Sequence, residues 1–228
     1  DRRVGIQCPT MDQVKPVTDP LEPPSSCALC PRLVEFRGQM QAANPDWHNA
    51  PVPAFGGTDA QLLVVGLAPG MKGANRTGRP FTGDVAGRLL FPTLIKFGFA
   101  RGVYEEDPGG GLALVNTRIT NAVRCLPPEN KPTGGEAKTC RDFLTAEIAG
   151  LTRLRVILAL GGIAHKAVVA ALGHRQADFP FGHAASHELS GVVLTDSYHC
   201  SQYNVNTGRL TPAMFDEVFA GVRDRLEG

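Results

Sequence analysis

The chain has 228 residues, enough for one large domain and short for two. A hydrophobic fraction of 43% and a charged fraction of 20% are ordinary for a soluble globular fold, and no apolar run approaches the roughly 20 residues that a membrane helix needs. The net charge of +1 gives no global attraction to nucleic acid, so such a partner must meet a local basic patch.

Residues 1–26 carry Pro9, Pro16, Pro20, Pro23 and Pro24 without any periodicity, and read as a tail draped over a single domain at 27–228. Residues 27–41 read as a helix and 51–59 as a loop. The run QLLVVG at 61–66, bounded by turn residues, suits a buried parallel strand. A long Gly/Pro-rich loop follows at 67–83. Asp84 then opens an amphipathic helix to about Phe97, with Leu89, Leu90, Leu94 and Phe97 on one side. The second strand is expected at 112–116, prolonged or paired near 119–123. A loop at 127–133 and a helix at 135–148 come next, then a third strand, RVILAL, at 155–160. Gly161 and Gly162 lead into a helix at 163–172, the fourth strand is expected at 191–195, and a helix at 211–226 closes the chain, with Met214, Phe215, Val218 and Val222 facing inward. Strands alternating with helices predict an α/β fold: three α/β/α layers around a four-stranded, mostly parallel sheet. Ligands bind such sheets at the carboxyl ends of the strands, which here open into 67–84, 121–132 and 197–210.

Six cysteines are too few for a disulfide-rich secreted scaffold, and a Cys-x-x-Cys without an export signal points to metal or redox chemistry in the cytoplasm. Cys27 and Cys30 form that pair, with Cys125 and Cys140 as the natural third and fourth ligands. Four thiolates suit either zinc or an iron–sulfur cluster, and the spacing does not choose between them. Cys8 is expected to be an unpaired tail thiol and Cys200 a packing residue.

The segment 66–84, Gly-Leu-Ala-Pro-Gly-Met-Lys-Gly-Ala-Asn-Arg-Thr-Gly-Arg-Pro-Phe-Thr-Gly-Asp, closely resembles the first motif of the family 5 uracil-DNA glycosylases. Residues 123–132 (VRCLPPENKP) resemble the central motif of that family. Residues 197–201 (SYHCS), with Asn204 and the run 207–211 (TGRLT), resemble its last motif. The start CALCPRL at 27–33 is similar to the cluster-bearing enzymes of families 4 and 5. The resemblance implies a structural [4Fe–4S] cluster on Cys27, Cys30, Cys125 and Cys140. It further implies excision of uracil, with hypoxanthine and xanthine as further substrates, in base excision repair. There are two departures: Cys200 stands where Pro or Val is expected, and Asn121 stands where family 5 often has a small apolar residue and family 4 a uracil-reading Asn.

A glycosylase must extrude the nucleotide, hold the base and support an oxocarbenium-like sugar while the base leaves as an anion. Phe81 is the candidate platform for the flipped base, and Asn121 a candidate reader of its edge. The backbone around Ala68, Pro69 and Gly70 is a candidate cradle for the base or its developing charge. Asp84 is assigned to the hydrolytic water by its place at the end of the motif, and is equally suited to cap the following helix. Asn130 offers an amide beside the pocket, and His199, just past the fourth strand, is placed to donate to the leaving base. Lys72, Asn75, Arg76, Arg79 and Arg209 are expected to contact DNA, together with Ser201 and Asn204; Arg88, Arg124 and Lys131 extend the basic run. The partner expected is DNA carrying uracil or another deaminated base, met by a monomer at a prokaryotic nucleoid. The competing reading is a non-catalytic iron–sulfur protein that senses DNA damage.

Overall fold

A computed structural model describes residues 22–228. The tail expected at 1–26, with Cys8, therefore lies outside the described residues up to residue 21. Pro23 is buried, and Glu22 accepts hydrogen bonds from the Ala54 backbone at 2.9 Å and from two arginines, so both belong with the folded body.

The first helix, α1 (Pro31–Ala43), starts four residues later than expected. Pro31 occupies its first turn, where the missing N–H costs nothing, and leaves Cys27 and Cys30 on the approach to the helix. Strand β1 (Leu62–Gly66) is buried along its whole length. The glycine-rich loop after it contains one short helical turn, α2 (Ala74–Thr77), before α3 (Val85–Lys96), which the Asp84 side chain caps.

The second strand departs from expectation. Residues 112–116 provide only β3 (Ala113–Leu114), which pairs antiparallel with β2 (Ala100–Arg101) in a separate two-stranded ribbon. Asn116 takes a φ of +48°, and the strand that enters the main sheet is β4 (Thr117–Asn121). Its sequence TRITN looks too polar for a strand in which every residue is buried. The polarity is tolerated because Thr117 Oγ1 donates to the Val115 carbonyl and Arg118 meets two carboxylates.

After a 3-10 turn at Pro128–Asn130 comes α4 (Gly134–Gly150), whose capping box joins Thr133 and Glu136. Strand β5 (Val156–Leu160), α5 (Gly162–Ala171), β6 (Ser186–Leu189), β7 (Val192–Ser197), α6 (Gln202–Asn206) and α7 (Pro212–Glu227) complete the chain. The central sheet has five strands, not four, in the order β4-β1-β5-β7-β6. Its first four members are parallel, and β6 adds an antiparallel edge. With the sequence SHEL, β6 is too short and polar to stand out as an apolar run, which is a common way of blunting a sheet edge.

The period of two sorts the core. Leu62, Val64 and Leu158 pack with Leu90, Phe91, Phe215 and Phe219 under α3 and α7. Leu63, Val65 and Ile157 pack with Leu144, Val168 and Val169 under α4 and α5 on the opposite face. Three layers result, and the carboxyl ends of β1, β4 and β7 all open at one end of the sheet.

Candidate active site and metal centre

Gly66 ends β1 where two side chains crowd in. A Cβ there would lie 2.6 Å from the Phe81 ring and closer still to Asn121 Oδ1, so only glycine admits both. Phe81 itself is buried and takes a φ of +55°, a strained setting for a side chain of that size. Two neighbours hold it there. Its carbonyl packs where a Cβ on Gly87 would have to sit, and it accepts a hydrogen bond from Tyr104 Oη at 3.4 Å. The ring stacks on His199 with centroids 6.1 Å apart and planes 29° from parallel.

These two rings belong to the wall of a cavity of about 500 Å³. Asp84 and Asn121 line it from the first and central segments, Asn130 from the 3-10 turn, and Ser201 from the last segment. Ala68 and Gly70 supply backbone to the same wall, whereas Pro69 is buried and does not line it. Leu67, Ala74, Val85, Ala86 and Gln202 also face the cavity. Sequence reasoning missed them because four are apolar and unremarkable, and Gln202 belongs to a helix too short to show periodicity.

Six histidines occur in the chain, and the ring nitrogens separate them. His48, His165, His174, His183 and His187 each have a hydrogen-bond partner at a ring nitrogen. Among the described residues the ring of His199 has none, and its nitrogens remain available to a ligand. Burial lowers its pKa to about 4, so it is neutral at physiological pH and keeps one N–H to donate. Its own placement depends on Asn204, whose amide donates to the His199 carbonyl at 2.8 Å, and on Ser201, which caps α6.

Asp84 uses its two oxygens differently. Oδ1 accepts the Gly87 N–H at 3.1 Å, while Oδ2 is the nearest atom to the positions a Cβ would take on Gly70 and Gly73. Burial raises its pKa against the opposing pull of the Gly87 and Ala86 backbone. Cys200 is fully buried in the hydrophobic core between these groups; burial pushes its thiol far up, which makes it packing and not a nucleophile.

The basic run divides sharply. Lys72 and Arg76 are exposed or half-buried beside the cavity, with Arg76 on the Lys72 and Glu106 carbonyls. Arg209 lies 4.7 Å above the Tyr198 ring, at a second cavity of about 230 Å³ that includes Gly161, Gly162 and His199. Asn75, Arg79 and Arg124, expected at a DNA surface, are buried instead. Asn75 donates to Asn49 Oδ1 at 2.8 Å. Arg79 binds Thr82 Oγ1 and the carbonyls of Asp107 and Pro108, bracing the motif loop against residues 107–108. Arg124 sits between Glu22 and Glu147 and shares both carboxylates with Arg118. Arg88 pairs with Glu106 and Lys131 with Glu129 on the surface.

Cys27, Cys30, Cys125 and Cys140 line one pocket behind this network, walled by Pro23, Leu33, Val34 and Phe143. None is in a disulfide. Arg32 on α1 grips Glu136 on α4 through two contacts of 2.7 Å, which ties the two elements that bring Cys30 and Cys140 together. Burial pushes the Cys125 thiol up to about 12, with Cys140, Cys27 and Cys30 adding repulsion. His165, His187 and Asp196 also gather their ligand atoms within 4.8 Å. There, however, His165 is engaged by Asp196 and the Phe179 carbonyl and His187 by the Pro180 carbonyl, so the group is a hydrogen-bonded staple.

Residues 53–223 match the uracil DNA glycosylase superfamily. The chain is 45% identical to a type-5 uracil-DNA glycosylase of Thermus thermophilus over 211 residues, covering 90% of this chain and 95% of that protein. It is 43% identical to the type-5 enzyme of Mycobacterium leprae, over 86% and 89% of the two chains. A third type-5 enzyme, from Pyrobaculum aerophilum, is 40% identical over 85% and 86%.

Proposed function

From its membership of the uracil DNA glycosylase superfamily, to which this chain belongs, we propose that it hydrolyses the N-glycosidic bond of uracil in DNA and so initiates base excision repair. The observation that carries this reading is convergence. Phe81, Asp84, Asn121, Asn130 and His199 come from segments far apart in sequence and share the wall of one cavity.

The chemistry follows from their placement. An extruded base enters the cavity and stacks on Phe81, and the Asn121 amide, which has no hydrogen-bond partner among the described residues, reads its edge. As the bond from the base to C1′ lengthens, negative charge grows on the base and the neutral His199 N–H donates to it. Asp84 Oδ2 holds the water that adds to C1′ and favours the positive charge on the sugar; the proton of that water leaves through the carboxylate. Asn130, at the exposed rim, contacts base or water. Lys72, Arg76 and Arg209 meet phosphates on either side, with Ser201 and Asn204 supporting the last loop. A cavity of this volume also takes hypoxanthine and xanthine, which belong to the proposed substrate range. The enzyme acts as a monomer on nucleoid DNA in the cytoplasm.

The four cysteines hold a [4Fe–4S] cluster in this reading. Four thiols, none in a disulfide, line one pocket, and a set of four thiolates is a fitting donor set for such a cluster. The Arg124 N–H directed at Cys140 Sγ at 3.4 Å suits an anionic sulfur. When bound, the cluster serves as a structural staple joining α1, residues 122–126 and α4.

Duplexes with one uracil, hypoxanthine or xanthine test the proposal, with alkali used to break the strand at each abasic site. The wild type is expected to give breaks on all three. His199→Ala should keep its DNA affinity and lose about 10²–10³ in rate. No break with uracil would refute the enzyme reading and leave a damage-binding protein.

A further inference from the structure

Two buried guanidinium groups, those of Arg118 and Arg124, share the carboxylates of Glu147 and Glu22. Arg37, on α1, has no such match. Its Nη2 donates to the Cys27 carbonyl at 3.0 Å, while Nη1 is shut off from solvent with no hydrogen-bond partner. Among the described residues no carboxylate pairs with it. A buried donor left unsatisfied is costly, and the carbonyl that holds the other arm of this guanidinium belongs to Cys27, one of the four cysteines that line the pocket.

We propose that Arg37 is a positioning residue for the metal centre: its guanidinium fork spans the Cys27 carbonyl and the thiolate-bearing centre, with Nη1 donating to a sulfur there. This rests on the four-cysteine cluster reading above. The physical case is complementarity. Four thiolates and their cluster form an anion, and Arg37 supplies both a fixed positive charge and a rigid second N–H beside a pocket whose walls, Arg124 and Thr139 apart, are apolar. The orphan Nη1 is then explained by the same object that explains the four unpaired thiols.

The test uses full-length protein purified without oxygen, as wild type, Arg37→Gln and Arg37→Lys. Iron and acid-labile sulfide per chain are measured, then the rate of iron loss to a chelator and the reduction potential. Wild type is expected to hold iron and sulfide in equal amounts. Arg37→Gln should release iron about 10–100-fold faster and have a lower potential, because a compensating positive charge is gone. Arg37→Lys, which keeps the charge and loses the fork, should fall between the two. Wild type without iron overturns the cluster reading itself. Wild type with iron, and Arg37→Gln indistinguishable from it, overturns the role of Arg37 alone. Should Arg37→Gln fail to fold, Arg37→Lys decides: faster release supports the proposal and wild-type release overturns it.

Discussion

Asp84 is both a helix cap and the proposed holder of water, and the two roles can be separated because they use different oxygens. Asp84→Asn keeps an oxygen acceptor for the Gly87 N–H at 3.1 Å, and Asn ranks with Asp as an N-cap. Folding stability is therefore expected to change by no more than about 0.5 kcal/mol, or ~2 °C in Tm for a chain of this size. Turnover should respond differently. The amide cannot take a proton from water or oppose the positive sugar, a loss of about 10²–10⁴ in rate, equivalent to ~2.7–5.4 kcal/mol of transition-state stabilisation. Asp84→Ala loses both functions and should add a cap penalty of ~1 kcal/mol to the same kinetic defect. Single-turnover excision with enzyme in excess over a uracil duplex, run beside thermal melts, measures the two effects independently. Because burial raises the Asp84 pKa, wild-type activity should fall in acid with a midpoint above the usual carboxylate range, and that limb should vanish in Asp84→Asn. A rate for Asp84→Asn within about threefold of wild type, with Asp84→Ala merely less stable, would reduce this carboxylate to a cap.

Other consequences follow from the packing. Glu147 is fully buried against Arg118 and Arg124, themselves 4% and 1% exposed, so Glu147→Ala should cost about 3–5 kcal/mol and be read as a lower urea midpoint; a loss below ~1 kcal/mol would contradict the network. Gly66→Ala should leave a folded protein that binds the extruded base poorly, seen as a raised KM, since the new methyl displaces Phe81 or Asn121; an unchanged KM would argue against that packing. Burial opposes charge on His165, but the Asp196 hydrogen bond and charge outweigh it and raise its pKa. The stability it contributes is therefore complete below its unfolded value of about 6.5 and fades as pH rises through the folded value, a slope that His165→Gln should flatten in urea titrations.

The layered α/β fold and the three loops at the strand ends were legible because alternating apolar runs and Gly/Pro-rich segments leave strong local signals. What was not legible depended on distant partners. Arg124 reads as a basic surface residue until Glu22, 102 positions away, and Glu147 are seen to bury it. Asn75 and Arg79 sit in a loop whose composition suits phosphate, yet their partners are Asn49 and the carbonyls of residues 107–108. Strand β4 leaves no apolar run to read because its buried residues include Thr117 and Arg118, whose partners, the Val115 carbonyl, Glu22 and Glu147, appear only in the fold. His199 stands out in the sequence by its motif and its place just past a strand; what sets it apart physically, a ring with no internal partner among the described residues, is invisible until every other histidine is seen to be engaged.

The cysteine pocket and the cavity are joined by five residues at the exit of β4. Asn121 faces the cavity, and the ladder continues past it as Ala122 N–H donates to the Gly66 carbonyl at 2.9 Å and Val123 N–H to the Leu67 carbonyl at 3.0 Å. Arg124 is then held on both sides, its carbonyl by Val52 N–H at 2.7 Å and its guanidinium by two buried carboxylates, and Cys125 follows at once. No slack separates Asn121 from the thiols, so a shift at Cys125 is carried along the backbone to Asn121. Asp84 and His199 are placed instead by the start of α3 and by the loop between β7 and α6. The four-cysteine side of the molecule is thus tied through the backbone to Asn121, the proposed reader of the base.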